Sequence, residues 1–310
     1  MNGIESRPYQ DDDLPLLQDA FAGWIQKAGI CGYYTVGHLA HWIYEVLRGR
    51  HPVADLVRVW EDEAAIIGIE INLLFETAFY VFISLAYRGT DVEIEMLQSA
   101  FETTCRLTHE KKQDNSAVFT DVFSCDAIRI DLLAQLGFEQ HRLWDHVAEC
   151  DLSEPIPQVH LPDGFSIRPA TTDDYTQLAL ARNDIFDTDW TPEMYRDQVM
   201  QKPGYQPERE IVVVAPNEQI MALTIIRLDQ VNKIGLFEPV GTRHAFRRRG
   251  LAQAMMTHGL HEMKNLGMET AIVEYEAANL AASELYRRLG FRKKYETWGY
   301  KCDCQRGITR

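Results

Sequence analysis

The stretch that decides the fold is Glu238-Pro-Val-Gly-Thr-Arg-His-Ala-Phe-Arg-Arg-Arg-Gly-Leu-Ala252. Its pattern indicates the end of a strand, a short basic turn that closes at Gly250, and the opening of a helix. A helix start presents unpaired backbone N–H groups and the positive end of the helix dipole, and glycine lets an anion approach the backbone. Three consecutive arginines, Arg247 to Arg249, add charge suited to a diphosphate. The stretch therefore predicts a phosphate site, with a solvated basic helix start as the alternative.

Composition and charge restrict the kind of protein and ligand. The 310 residues are 46% hydrophobic and 25% charged, with a net charge of −15. This is typical of a globular protein large enough for two domains. Residues 1–160 hold 11 Lys and Arg against 26 Asp and Glu, whereas residues 161–310 hold 20 of each kind. A polyphosphate ligand is therefore expected in the second half, and nucleic acid is not expected as a partner of either half.

The sequence also carries expectations about the compartment. The N-terminal residues lack the pattern of a secretory signal, and the longest apolar run, near Phe79 to Leu85, is too short to cross a bilayer. Six cysteines are scattered along the chain. We expect a cytoplasmic protein with reduced thiols and no membrane association. Cys302-Asp-Cys304 is interpreted as an incidental pair in a frayed tail, and no metal is predicted.

The two halves of the chain repeat one another. Ile4-Glu-Ser-Arg-Pro8 is echoed by Phe165-Ser-Ile-Arg-Pro169, and each precedes an acidic helix start. Leu132-Leu-Ala-Gln-Leu-Gly-Phe138 is echoed by Leu285-Tyr-Arg-Arg-Leu-Gly-Phe291. The same order of predicted helices and strands lies between these echoes. The sequence therefore predicts a duplicated domain.

A proline-rich polar segment separates the two copies. Prolines in such a segment disfavour both helix and sheet. We therefore predict a linker at 153–163, between a domain at 1–152 and a domain at 164–310.

Two motifs of the second half resemble those of the GNAT (GCN5-related N-acetyltransferase) superfamily. Arg247-x-x-Gly250-x-Ala252 resembles the family's acyl-CoA signature, Gln/Arg-x-x-Gly-x-Gly/Ala, and lies between a strand and a helix as it does there. Asn279-x-x-Ala282-x-x-Leu285-Tyr286-x-x-x-Gly290-Phe291 resembles the second conserved region. The resemblance covers roughly residues 164–300 and, in degenerate form, 4–150.

The resemblance implies a fold and a reaction. The fold is α/β (α+β), with two tandem GNAT-like domains, each a mixed, largely antiparallel central sheet flanked by helices. The reaction is transfer of an acyl group, usually acetyl, from CoA to an amine.

The resemblance further implies where acetyl-CoA, the co-substrate, binds. Pro239 cannot donate to a sheet ladder, so the strand is expected to end or splay there and admit the pantetheine arm. Asn279 would cap its helix or bind the CoA arm. The residues expected to contact the cofactor are Val240, Gly241, Thr242, Arg247, Arg248, Arg249, Gly250, Leu251, Ala252, Asn279 and Tyr286.

Catalytic roles are expected for Tyr286 and Glu238. The resemblance implies that Tyr286 protonates the leaving thiolate, and the alternative is a core aromatic. Glu238 is the best candidate for a general base, although it would equally suit a structural pair with an arginine. Glu274 and Glu276 on the next strand are its competitors.

The acceptor is expected to be a small-molecule or peptide amine. Segment 184–205 is expected to cover it, with Trp190, Tyr195 and Glu274 as candidate contacts. The alternative for the two aromatics is an ordinary amphipathic helix with its rings in the core.

The first half lacks the corresponding groups. A plausible alignment sets Arg88-x-x-Asp91-x-Glu93 against the signature, and Leu133 stands where the second half has Tyr286. Carboxylates in that place would repel a pyrophosphate. We expect this half not to bind CoA.

The function expected from these residues is an N-acetyltransferase that moves acetyl from acetyl-CoA to a primary amine by direct attack. Two alternatives stay open: a module that binds acyl-CoA for regulation without turnover, and an interaction protein that acts through the acidic first half. The sequence leaves both a monomer and a homodimer open.

Overall fold

A computed structural model of the protein describes residues 3–73, 77–110 and 117–305. The described chain forms two compact units, each assembled from separate pieces of sequence. Unit 1 comprises residues 3–35, 45–146 and 295–305, and unit 2 comprises residues 36–44 and 147–294.

Helices and strands alternate through both units. The helices are α1 (Asp13–Ala28), α2 (Val36–Ala40), α3 (Val53–Leu56), α4 (Asp91–Glu110), α5 (Ala127–Gln135), α6 (Tyr175–Phe186), α7 (Pro192–Tyr195), α8 (Leu251–Asn265) and α9 (Leu280–Arg288). The strands are β1 (Ile4–Pro8), β2 (Val57–Asp62), β3 (Ala65–Leu73), β4 (Ala78–Ile83), β5 (Ala117–Phe123), β6 (Glu139–Asp151), β7 (Ser166–Pro169), β8 (Glu210–Val214), β9 (Ile220–Asp229), β10 (Ile234–Thr242), β11 (Thr270–Glu276) and β12 (Arg292–Asp303). None of these helices is both long and apolar enough to cross a membrane.

The sheet of unit 2 carries the predicted phosphate stretch. Its strands follow the order β7-β8-β9-β10-β11, with residues 147–151 of β6 beyond β11. The pairs from β7 to β10 are antiparallel, whereas β10 and β11 are parallel. All five residues of β8 are buried, as the continuous apolar run Ile211 to Val214 predicts for a central strand. A helix, α8, packs on β8 and β9.

The sheet of unit 1 repeats this arrangement. Its order is β1-β2-β3-β4-β5, with residues 295–303 of β12 beyond β5. The first four strands are antiparallel, and β4 and β5 are parallel. The predicted fold of two mixed, largely antiparallel sheets flanked by helices is confirmed.

The repeated sequence opening has the same structural role in both units. Arg7 at the end of β1 forms a fork with both oxygens of Asp13, with the shorter contact at 2.7 Å. Arg168 at the end of β7 forms the same fork with Asp174, again six residues later and again at 2.7 Å. Each fork ties the first strand to the start of the following helix.

The division by contacts differs from the predicted domains in three segments. Residues 36–44 and 147–152 lie in unit 2, and residues 295–305 lie in unit 1. The last strand pairs antiparallel with β5 from Thr297 to Asp303. A strand pattern in the sequence predicts that a segment is extended but does not say which strand it pairs with. Residues 152–165 contain no helix or strand, and the boundary at 153–163 stays a prediction about the duplicated sequence.

The expectation of reduced thiols is wrong for four of the six cysteines. Cys31 bonds to Cys125 and Cys105 bonds to Cys304, with Cα–Cα distances of 6.3 and 5.7 Å. Cys150 and Cys302 are free and buried. Cys302 and Asp303 are the last residues of the paired strand β12, and Cys304, which follows directly, is held by its disulfide, so the three residues are not a frayed tail. The partners are far apart in sequence, so their spacing could not predict the bonds. The cytoplasmic location stays a prediction.

Segment 36–44 reaches unit 2 by packing against its sheet. Helix α2 contacts β9 and β10. Gly37 makes this approach close, because a Cβ built there would lie 2.6 Å from Cβ of Arg227 and 3.1 Å from Leu236. Any side chain at position 37 must therefore displace the helix or the strand.

We predict that Gly37→Ala destabilises the protein by about 1–3 kcal/mol, because it overpacks this contact. The measurement is the free energy of unfolding in urea. Gly23→Ala is the matched control, since Gly23 lies inside α1 with no atom within 4 Å of its built Cβ. That variant should gain about 0.5–1 kcal/mol from helix propensity. A gain of stability at both positions would contradict the close packing of α2.

Candidate active site

The candidate site opens where two parallel strands stop pairing. β10 pairs with β11 from Ile234 to Phe237, opposite Thr270 to Val273. Beyond a bulge after Phe237, residues 240–242 pair with β9 alone. The expected splay at Pro239 is therefore confirmed. Because backbone groups on the β11 side of this end make no ladder bonds, they can receive a ligand.

A cleft of about 830 Å³ occupies this opening. Its walls are the end of β10, the basic turn, the start of α8, the end of β11 and helix α9. The lining includes these residues singled out in the sequence: Glu238, Pro239, Val240, Gly241, Thr242, Arg247, Arg248, Gly250, Leu251, Ala252, Glu274, Glu276, Asn279 and Tyr286. Residues of two motifs and two strands thus meet on one surface.

The basic turn ends in a left-handed backbone. Arg248 has φ +62° and Gly250, the residue before α8, has φ +81°. A Cβ at Gly250 would meet no atom within 4 Å, so its conformation rather than its packing favours glycine. The N–H groups of the first turn of α8 have no partner within the helix. Together these features form a concave, positive anion site.

The three arginines of the turn have different surroundings. Arg247 donates through Nε to the carbonyl of Thr242 at 3.2 Å and through Nη2 to the carbonyl of Ile185 at 3.1 Å. A phosphate contact by its side chain would require it to leave these carbonyls. Arg249 stacks on the ring of Phe246, 4.7 Å from its centroid, and is not among the residues that line the cleft. Arg248 does line the cleft.

A glycine is required at position 241 by close packing rather than by backbone conformation. A Cβ there would lie 2.1 Å from Ile185 and 2.9 Å from Phe186. The end of α6 therefore lies directly against the strand that forms one wall of the cleft.

Tyr286 is a buried side chain that reaches the cleft wall. Its ring lies 5.2 Å from that of Tyr275 and 5.9 Å from that of Phe291. Burial raises the pKa of Tyr286 well above its ordinary value, and the neighbouring Glu238 and Tyr275 raise it further. The phenol is therefore protonated throughout the neutral range and can act as a donor. It is both a core aromatic and a lining residue.

Asn279 caps α9. Its side-chain oxygen accepts from the backbone N–H of Ala282 at 3.0 Å. The cap accounts for this residue type, and Asn279 also lines the cleft.

Two carboxylates occupy matching positions on the two strands where they part. Since Phe237 pairs with Val273, Glu238 and Glu274 occupy the next matching positions of the parallel strands. Their side chains are 21% and 16% exposed. Like charges opposite one another on neighbouring strands repel, so this end of the cleft favours a cation.

Two histidines from segment 36–44 contact these carboxylates. His41 Nε2 lies 3.5 Å from Glu238, and His38 Nε2 lies 3.1 Å from Glu274. The sequence does not reveal these two histidines as site residues, because they are about two hundred residues from their partners and lie in an ordinary helical pattern. Only the fold brings them to the site.

The structure does not bring Trp190 and Tyr195 to the cleft. Both are buried in the core, with exposures of 5% and 0%. The Tyr195 hydroxyl donates to Glu210 at 2.6 Å, and the Arg182 guanidinium lies over both rings. Their expected contact with the acceptor is corrected accordingly. Helical spacing with aromatic residues could not distinguish a core face from a ligand face.

The equivalent opening of unit 1 is filled by its own side chains. Within the described residues, β4 and β5 pair at Ala78 and Phe119, and the cavity there is about 10 Å³. Glu93 is fully buried, accepts from the backbone N–H of Gly89, and binds Arg129 at 2.7 Å. A carboxylate of the protein thus occupies the anion position at the start of α4.

A second ion pair of this cluster lies at the starts of helices α4 and α5. Arg88 pairs with Asp126, the cap of α5. Short 3-10 turns precede both helices, Leu85–Tyr87 before α4 and His244–Phe246 before α8, and they end at Arg88 and Arg247. These two arginines are matched as the alignment of the motifs predicts. Helix α4 begins at Asp91, opposite Gly250, one position earlier than α8 at Leu251.

Comparison with known proteins agrees with this geometry. The sequence profile of the acetyltransferase (GNAT) family matches residues 175–291. This segment belongs to the GNAT family. It holds α8, the basic turn and α9, and therefore every predicted cofactor contact. The GNAT segment lies entirely within unit 2.

Curated relatives of the chain are acetyltransferases. A mycothiol acetyltransferase of Nocardia farcinica is 28% identical over 171 residues, which cover 51% of this chain and 55% of that protein. A ribosomal protein bS18 alanine N-acetyltransferase of Salmonella typhimurium is 31% identical over 90 residues, which cover 29% of this chain and 60% of that protein. The chain spans about half the length of the mycothiol acetyltransferase of Nocardia farcinica.

Solved structures share the fold of the whole chain. A GCN5-related N-acetyltransferase from Sphaerobacter thermophilus superposes with a TM-score of 0.63 at 18% identity, over 100% of this chain and 98% of that one. A tandem GNAT protein from the clavulanic acid biosynthesis pathway gives a TM-score of 0.63 at 10% identity, over 97% and 98%. The tandem GNAT fold is therefore confirmed.

We predict that Glu93→Gln lowers the free energy of unfolding by about 3–5 kcal/mol, because it leaves the buried Arg129 charge uncompensated. Urea unfolding measures the effect. Glu95→Gln, on the exposed side of the same helix, is the control and should change stability by less than about 0.5 kcal/mol. Equal effects at the two positions would contradict the role of Glu93 as the internal anion.

We predict that acid removes the stability that the neutral His41 side chain contributes. Burial lowers the pKa of His41 to about 4, and Arg227 and Arg182 also lower it, whereas Glu238 and Glu274 oppose them. The unfolded chain, with an ordinary histidine, binds the proton between pH 6.5 and 4 while the folded protein does not. This contribution to stability is present above pH 6.5 and is lost as the pH falls towards 4.

His41→Gln removes that contribution. The difference in unfolding free energy between the native protein and this variant should shrink by at most about 2 kcal/mol from pH 7 to pH 5. The value is an upper bound because the side chain is 17% exposed. A difference that stays constant with pH would show that His41 is not held neutral.

Proposed function

We propose that the cleft of unit 2 binds acetyl-CoA and transfers its acetyl group to a primary amine by direct attack. The observation that carries the proposal is the meeting of an anion site, a strand opening, a buried phenol and two carboxylates in one cleft of about 830 Å³. This volume lies within the range of ligand clefts, about 300–1,000 Å³. The GNAT family of residues 175–291 and the acetyltransferase names of the relatives support it.

The cofactor residues of this proposal follow the walls of the cleft. The turn from Arg248 to Ala252 would hold the pyrophosphate through backbone N–H groups and the Arg248 side chain. Backbone groups of Val240 to Thr242, which lack a partner strand on the β11 side, would pair with the amides of the pantetheine arm. Arg249 would contribute long-range charge rather than contact.

The proton balance assigns a role to each catalytic side chain. A primary ammonium loses one proton before its nitrogen can attack, and Glu238 is the group that accepts it. The C–N bond then forms and the C–S bond breaks. Tyr286 donates a proton to the departing sulfur and regains one from the nitrogen. The sum is an amide, a CoA thiol and one released proton.

The acceptor is a small-molecule or peptide amine, bound as an ammonium at Glu238 and Glu274. An ammonium between these side chains would relieve the repulsion of their facing charges. The acceptors named for the two relatives differ, so they support the reaction rather than one substrate.

The test is a screen of amines and N-terminal peptides for thiol release from acetyl-CoA. The Arg248→Ala/Arg249→Ala double variant serves as the control for cofactor binding. Amine-dependent thiol release that this variant loses would support the proposal. Binding of acetyl-CoA without turnover of any amine would overturn it in favour of an acyl-CoA-binding module.

We predict that Tyr286→Phe lowers kcat by about 100-fold or more, the usual size of a general-acid contribution. The Kd for acetyl-CoA should not change, because the ring and its packing remain. Steady-state kinetics and calorimetry give the two quantities. Tyr300→Phe, a buried tyrosine of unit 1, is the control. An unchanged kcat in Tyr286→Phe would remove the phenol from the mechanism.

A further inference from the structure

Segment 36–44 comes from the first half of the sequence but belongs to unit 2. It consists of α2 followed by the start of a π-helix, His41–Val46. π-helical turns are uncommon and are frequent at functional sites. Gly37 lets the segment lie directly against β9. Its side chains therefore lie against the face of the sheet beside the candidate active site.

The segment places one imidazole behind each carboxylate of the cleft. His41 Nε2 lies 3.5 Å from Glu238 Oε1, and His38 Nε2 lies 3.1 Å from Glu274 Oε2. The imidazoles are less exposed, at 17% and 3%, than the carboxylates, at 21% and 16%. His38 also stacks on Trp42, with 5.1 Å between ring centroids. The carboxylates thus form the surface of the cleft and the histidines form a layer beneath it.

The surroundings of His41 keep it uncharged. Burial lowers the pKa of His41 to about 4, so the imidazole is neutral at pH 7; Arg227 and Arg182, which face it, act in the same direction, whereas Glu238 and Glu274 oppose them. A neutral imidazole with its proton on Nε2 can donate to a carboxylate without cancelling its charge. Among residues 3–73, 77–110 and 117–305, no group of three or more His, Cys, Asp or Glu is arranged to hold a metal ion.

We propose that segment 36–44 completes the acceptor side of the cleft, with His41 as a positioning residue that holds the Glu238 carboxylate toward an acceptor ammonium. The inference rests on the proposed function of the same cleft. It adds that the acceptor site requires nine residues from the first half of the sequence, far from the GNAT segment at 175–291. His41 acts through the carboxylate and does not touch the reacting atoms.

The first test is structural and does not depend on turnover. Crystal structures of the native protein, His41→Gln and His41→Leu are compared at Glu238. The amide of glutamine can still donate to the carboxylate, whereas leucine cannot. The carboxylate should keep its position in His41→Gln and leave it in His41→Leu. An unmoved carboxylate in His41→Leu overturns the inference, whether or not the protein turns over an amine.

The second test uses an amine that the screen identifies. His41→Leu should lower kcat by about 10- to 100-fold, the equivalent of one hydrogen bond to a charged group. The KM for acetyl-CoA should stay within about twofold, and His41→Gln should restore most of kcat. His160→Leu, at an exposed histidine between β6 and β7, is the control.

The outcomes separate this inference from the proposed function. If the native protein turns over an amine and His41→Leu matches it in kcat, the positioning role is overturned and the proposed function stands. If the native protein binds acetyl-CoA but turns over no amine, the proposed function fails, and the position of Glu238 in the variant structures still decides whether His41 holds it.

Discussion

The structure of the candidate site depends on the interruption of one sheet ladder. β10 and β11 pair up to Phe237 and Val273 and then part, at a proline that has no N–H to donate. The opening leaves backbone groups for a ligand on one side and brings Glu238 and Glu274 to matching positions on the other. The turn, α8 and α9 then close around the same opening. Without this gap the motifs of the second half would surround a continuous sheet.

The same interruption occurs in unit 1 with a different result. In the part of the chain that the structure describes, its parallel strands meet at Ala78 and Phe119, but the space is taken by the cluster around Glu93 and Arg129. A buried carboxylate that accepts from the backbone at the helix start replaces an external anion. Thus the duplicated architecture is retained while the site is converted into internal packing. An ion cluster of this kind is costly to break from either side.

Local chemistry in the sequence predicted much of the GNAT segment. Gly250, the splay at Pro239 and the Asn279 cap each follow from the backbone properties of one residue. The features that could not be predicted are those set by distant contacts. Nothing near His41 identifies Glu238 as its partner, nothing near Cys31 identifies Cys125, and the pattern of β12 does not state that it joins β5. Trp190 and Tyr195 were misplaced because a core face and a binding face of a helix have the same spacing.

We infer that one of the two equivalent openings binds acetyl-CoA because the other is filled by Glu93. Calorimetric titration of the protein with acetyl-CoA is the decisive measurement. One molecule should bind per chain, with an affinity that falls as salt increases because backbone amides and Arg248 hold the phosphates. Two bound molecules per chain, or none, would contradict it.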